Sequence, residues 1–360
     1  MLRIIILLII FFSSLIKIAI FLPLTNSNKV GSIQMNRINY KRCGEIIIGN
    51  QKYNLAFNLD STDFWVVSNE LSTFKLLNKT ENIKETGING SLVKDTLMIG
   101  DVKIKNIPFI VVQSIPNTYS NNYKTDGVLG LSSISDETNN NNNNPLQYLT
   151  KYIQNSIFTI FTKSNGELAL PSQNEENVGK ITFGSEDKDN CKKYNYVKLV
   201  EKSKLIVNIL CGKINNTPLN SIISNNNNTK MNILEEELLM LAPQTFLEEI
   251  AKIMKLTSQG DDTGFYLFKE GSCNKDNINK LPTITLTVGD CEKQAEISIY
   301  PKQYLQYTAL GDCRLLIADS VMMGYENGWY MGAQFFEDRC IAMNWNEGTI
   351  GFADAENNKN

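Results

Sequence analysis

The stretch Phe57-Asn58-Leu59-Asp60-Ser61-Thr62-Asp63-Phe64-Trp65-Val66 places two carboxylates, an amide and two hydroxyls between apolar and aromatic residues. Carboxylates gathered at a turn can act as general acid and base, whereas Asn58 can only donate and accept hydrogen bonds. A second acidic group, Glu235-Glu236-Glu237, lies in "NILEEELLMLAP" (232–243). The simplest alternative makes Asp60 a solvated or capping turn residue and the glutamates an acidic helix start or an exposed charge run. Asp60, Asp63 and the glutamates lack the spacing of a cation loop, so neither metal nor cofactor is expected. The chain has no His, which excludes Ser-His and Cys-His nucleophiles and argues against a catalytic zinc.

The elements available to position these residues are mostly short strands. "CGEIIIG" (43–49), "VKIKNIPFIVV" (102–112), "SIFTIFT" (156–162), "KITFG" (180–184), "KLIVNILCG" (204–212) and "PTITLTVG" (282–289) are rich in β-branched residues and bounded by turn formers. One good helix is predicted, "APQTFLEEIAKIMK" (242–255), with Pro243 near its start and Phe246, Ile250 and Ile253 on one face. The Asn-rich tracts at 138–146 and 224–230 read as solvated loops. A chain of 360 residues can form two lobes, each with its own core. A mostly-β protein follows.

A net charge of −3 gives no basic field, so nucleic acid is not an expected partner. Residues 1–24 carry Arg3 ahead of an apolar run and read as a signal peptide, with an uncleaved signal anchor as the alternative because Lys17 interrupts the run. No other stretch approaches the roughly 20 apolar residues of a membrane span. The expected location is therefore the secretory lumen or the cell exterior. Seven cysteines suit an oxidising compartment, and sequons at Asn78, Asn89, Asn215 and Asn227 are glycosylation candidates. Cys43, Cys191, Cys211, Cys291 and Cys340 are expected to be buried thiols or members of unassigned disulfides.

Several motifs, taken in order from about Tyr40 to about Ala353, resemble the pepsin-like aspartic proteases. They are "TDGVLGL" (125–131), "GKITFGSED" (179–187) and the closing "WYMGAQFFEDRCIAMNWNEGTIGFA" (329–353). The resemblance implies a bilobal, mostly-β fold with a cleft between two barrel-like lobes, here 37–186 and 187–356. It also implies a disulfide between Cys273 and Cys313, and a flap over the cleft that includes Ile83, Thr86, Gly87 and Ile88. Ile83 stands where the family places a tyrosine. About 15 residues separate the leader from Tyr40, fewer than an inhibitory prosegment needs.

The family's chemistry uses two Asp-Thr/Ser-Gly loops whose carboxyls, roughly 3 Å apart, share one proton. The resemblance puts Asn58 and Leu234 at the two aspartate positions, Leu59 and Glu235 at the hydroxyl positions, and Asp60 and Glu236 at the glycine positions. The expected function is binding of an extended peptide or protein by a monomeric, non-proteolytic family member. One alternative is an endopeptidase with a displaced acid pair, Asp60 with Glu235 or Glu236. Another is a structural or surface glycoprotein.

Overall fold

A computed structural model describes residues 29–83, 87–115, 124–133, 144–224, 230–260, 263–270, 275–278, 280–308 and 312–356. Among these residues the chain is mostly strand. One sheet of thirteen strands runs from Asn195–Lys198 through Thr349–Asp354, Arg339–Asn344, Ile157–Thr162, Glu175–Phe183, Gly31–Ile38 and Lys41–Ile48. It continues through Gln51–Asn58, Gly127–Gly130, Phe64–Val67, Val102–Val112 and Asn89–Ile99 to Lys75–Asn82. A second sheet of eight strands and a third of four strands are built from residues after 205. The predicted strands fall where the β-branched runs put them. Val102–Val112 alternates buried and exposed residues before becoming buried on both faces. The predicted helix forms over Gln244–Met254 and buries Phe246, Leu247 and Ile250, with the Phe246 ring 4.3 Å from that of Trp329.

The two larger sheets repeat one local topology. Gln51–Asn58 runs parallel to Gly127–Gly130, which is antiparallel to Phe64–Val67, which in turn is parallel to Val102–Val112. In the second sheet, Lys230–Ile233 runs parallel to Trp329–Met331. That strand is antiparallel to Met240–Ala242, which is parallel to Ile317–Asp319. Each set encloses one loop, Asn58–Asp63 or Leu234–Leu239. A glycine lies behind each loop because the backbones approach too closely for a side chain. A Cβ on Gly130 would sit 2.5 Å from the Ser61 carbonyl oxygen and 2.6 Å from that of Asp63, and one on Gly332 would sit 2.4 Å and 2.2 Å from those of Glu237 and Leu239.

The cysteines divide differently from expectation. Cys191 and Cys340 form a disulfide that ties strand Arg339–Asn344 to a segment 149 residues earlier. Cys43 is a buried free thiol, and burial pushes it up to about 12. Cys211 and Cys291 are free and exposed, which corrects the expectation of burial or bonding. The strand register shifts between Ile209 and Cys211, turning Cys211 outward, and Cys291 lies in the turn between two antiparallel strands. Cys313 is disulfide-bonded, while its expected partner Cys273 lies outside the described residues. So do residues 1–24, Thr86 and Asn227. No described helix is long and apolar enough to cross a membrane.

Strand Gly31–Ile38 carries a buried cation into the sheet. Arg37 is 2% exposed and pairs with Glu175 at 2.9 Å and with Glu337, just beyond helix Ala333–Phe336, at 2.6 Å. Burial outweighs the attraction of Arg37 and Arg42, and with Asp338 and Glu175 nearby it pushes Glu337 up to about 7. The folded chain therefore holds a proton here that the unfolded chain releases as pH rises. This contribution is fully present below the ordinary glutamate range and is lost as pH rises through about 7. Urea unfolding from pH 4.5 to 7.5 should show that loss in the parent and a flatter profile in Glu337→Gln. Equal slopes would contradict it.

Candidate functional site

Asn58 closes strand Gln51–Asn58 and is 9% exposed. Its Oδ1 accepts the backbone N–H groups of Asp60 at 2.8 Å and Ser61 at 3.0 Å, an Asx turn that winds the chain back on itself. Ser61 Oγ accepts the Asp63 N–H at 3.1 Å. Behind the loop, Leu131 N–H donates to the Asn58 carbonyl at 2.7 Å and Gly130 N–H to that of Asp63 at 2.8 Å. Leu59 points into the core at 3% exposure, whereas Asp60 is exposed. The side chains of Asn58 and Asp60 thus differ sharply in environment although only Leu59 separates them.

The second loop has the same frame with different internal ties. Leu234 N–H donates to the Met331 carbonyl at 3.0 Å, and Ala333 N–H to that of Glu237 at 2.6 Å. Leu234 has no side-chain oxygen to fold the turn. Glu237 Oε1 instead accepts the N–H groups of Leu238 at 2.8 Å and Leu239 at 3.1 Å, the latter matching the Ser61–Asp63 bond in the first loop. The Tyr325 hydroxyl donates to Glu237 Oε2 at 2.8 Å.

Glu235 is neither a helix start nor part of an exposed charge run. It is 7% exposed, and its Oε1 lies 2.9 Å from Nε of Arg42, a residue 2% exposed on strand Lys41–Ile48. The Arg42 guanidinium sits 4.0 Å from the centroid of the Phe336 ring. Burial lowers the Arg42 pKa and raises that of Glu235, and the attraction between them opposes both shifts. Arg42 Nη2 and Glu235 Oε2 have no hydrogen-bond partner among the described residues. Beside them Lys41 pairs with Glu236 at 2.6 Å, and Asn58 Nδ2 donates to the same Glu236 oxygen at 3.5 Å. The space left among Lys41, Phe57, Asn58, Glu235 and Glu236 is about 10 Å³, close to the room needed for one water molecule.

The structure therefore brings Asn58, Glu235 and Glu236 together and leaves Asp60 at the exposed end of its turn. Ile83, expected at the flap, is fully buried among Trp65, Leu92, Ile110 and Val128. Its N–H donates to Ile88 O at 2.8 Å and its carbonyl accepts the Gly87 N–H at 2.7 Å, closing the hairpin turn. Asn89 and Asn215 are exposed. Among the described residues there is no group of three or more metal-ligating side chains. Sequence reasoning missed Arg42 and Lys41. Their only signal was a pair of cations opening a strand that ends in an isoleucine run, with a glutamate run elsewhere in the chain to neutralise them.

The Arg42–Glu235 pair can be tested with a mutant cycle. Glu235→Gln or Arg42→Met alone strands a buried charge and should cost about 3–5 kcal/mol, whereas Arg42→Met with Glu235→Leu should be about as stable as the parent or more so. Additive losses measured by urea unfolding would show that the two side chains do not interact.

The profile described as "Eukaryotic aspartyl protease" matches residues 41–355. The chain is 23% identical to "Aspartic protease 1" of Caenorhabditis elegans over 351 residues, covering 87% of this chain and 81% of that protein. Its fold resembles the crystal structure of the aspartic proteinase from Irpex lacteus with a TM-score of 0.63 at 16% identity, covering 91% of this chain and 98% of that one. With the profile spanning both loops and the strands that frame them, this chain belongs to the eukaryotic aspartyl protease family.

Proposed function

We propose that this chain is a non-proteolytic member of the family that binds an extended peptide or protein segment in the cleft between its lobes. One observation carries the reading. The two loops are internal equivalents, each backed by a glycine at near-contact distance, and their corresponding first residues are Asn58 and Leu234. A leucine can neither give nor take a proton. The Asn58 amide cannot act as a base near neutral pH, and its oxygen already holds two backbone N–H groups.

The alternative acid pair, Asp60 with Glu235 or Glu236, gains little from the surrounding geometry. Asp60 is exposed, Glu235 is committed to Arg42, and Glu236 is paired with Lys41. Binding needs none of these groups to ionise together, because an extended peptide can add its main chain to cleft strands. The same reading takes residues 1–24 as a signal peptide, 37–186 and 187–356 as the lobes, a monomeric chain in the secretory pathway, and Cys273 as the partner of Cys313.

The test combines cleavage with repair. Casein- or haemoglobin-type substrates at pH 3–5 should remain uncut by the parent chain. Asn58→Asp with Leu234→Asp should return almost nothing, because a catalytic unit missing several parts is not restored by some of them. Glu235 would still occupy a bracing position, and changing it to Thr would strand Arg42. Pepstatin-sensitive cleavage by the parent would overturn the reading in favour of the endopeptidase, with Asp60→Asn and Glu236→Gln the variants that locate its acids. An uncut library in which no peptide binds would instead favour a structural glycoprotein.

A further inference from the structure

We propose that a cavity near the turn of the hairpin Asn89–Val112 binds a small zwitterion of the amino-acid class. The cavity has a volume of about 420 Å³, within the range of ligand pockets, and its lining shares no residue with the space beside Asn58. Asp95 and Lys103 stand on neighbouring strands of the hairpin and both line it.

Asp95 is held in place. Its Oδ1 accepts the Thr96 N–H at 2.6 Å, and Gly49 N–H donates to the Thr96 carbonyl at 2.8 Å. Gly49 has φ +61°, which favours glycine, and its missing side chain leaves room for the Asp95 carboxylate, whose Oδ2 lies 2.7 Å from where a Cβ would be. The strand register shifts between Asp95 and Leu97, and such a bulge re-aims the side chain next to it. Asp95 Oδ2 has no hydrogen-bond partner among the described residues.

Lys103 lies opposite Met98 and makes no ion pair with Asp95 or with any other described residue. Asp95 and the exposed Lys103 therefore line one cavity without pairing with each other. The Gln51 wall is already satisfied, since its Nε2 donates to Glu70 Oε2 at 2.5 Å and its Oε1 accepts the Tyr53 hydroxyl. Phe74, 7% exposed, presents the edge of an apolar ring to the cavity, with the fully buried Ile48 behind. A ligand that fits places an ammonium on Asp95, a carboxylate on Lys103 and an apolar side chain on Phe74. A simple anion would meet the Asp95 carboxylate, and a neutral sugar would use neither charge.

This proposal stands apart from the reading of the cleft, and its test involves no cleavage. The full chain is titrated with leucine, N-acetyl-leucine and leucine amide by calorimetry, with ligand-observed NMR as a second readout. Leucine should bind, and blocking either charge should weaken binding at least about tenfold. Asp95→Asn and Lys103→Met should each weaken leucine binding by a similar factor. The exposed Lys103 variant decides the matter if the Asp95 variant does not fold. Absence of leucine binding, equal binding of the blocked analogues, or full binding by Lys103→Met would overturn the proposal.

Discussion

Between strand Lys41–Ile48 and the second loop lies a pair of opposite charges almost entirely removed from water, Arg42 on the strand and Glu235 on the loop. Moving two ions into such a place costs several kcal/mol each, and their attraction offsets that only when the geometry is good. Here one hydrogen bond of 2.9 Å and the Phe336 ring face supply the compensation, while Arg42 Nη2 and Glu235 Oε2 remain unmatched. Each charge therefore depends on the other, and neither residue can change alone without cost. This ties together residues far apart in sequence. On the proposed reading, it also leaves Glu235 committed to Arg42 and not to a substrate.

The loops are anchored from behind by backbone contacts that do not involve the side chains of Asn58 or Leu234. Gly130 and Gly332 admit the close approach, and main-chain hydrogen bonds from Leu131 and Ala333 anchor each loop from behind. The turn inside the first loop is held by an amide, and that inside the second by Glu237, which accepts two neighbouring N–H groups. Such a framework can persist while the residues that face the cleft change. The family's fold and the family's reaction thus rest on different atoms.

Much of this was legible in the sequence, for physical reasons. β-branched runs bounded by glycine and asparagine gave strands such as Val102–Val112, and Pro243 with its spaced apolar residues gave the helix Gln244–Met254. The flanking motifs also place Asn58 and Leu234 at the family's two aspartate positions, an assignment that belongs to the proposed reading. The environment of the glutamates was not legible there. Three consecutive acids read as exposed because isolated charges avoid burial, and only the fold reveals that Arg42 comes from a distant strand to meet one of them. The exposed thiols were missed for a similar reason, since a register shift at Cys211 leaves no local signal. The cavity at Asp95 likewise arises from a bulge and a glycine turn brought together by pairing.

A peptide carrying a statine-type hydroxyl mimics the tetrahedral intermediate, and a proton-sharing pair of carboxyls grips that hydroxyl far more tightly than it grips a substrate. The most direct measurement is therefore calorimetric binding, at pH 4–5, of such a peptide and of its deoxy analogue to the parent chain. With Asn58 and Leu234 heading the two loops, the two peptides should bind with the same affinity, since neither residue can grip the hydroxyl as a proton-sharing pair does. A preference of about a hundredfold or more for the hydroxyl peptide would show a working acid pair in the cleft and contradict the account.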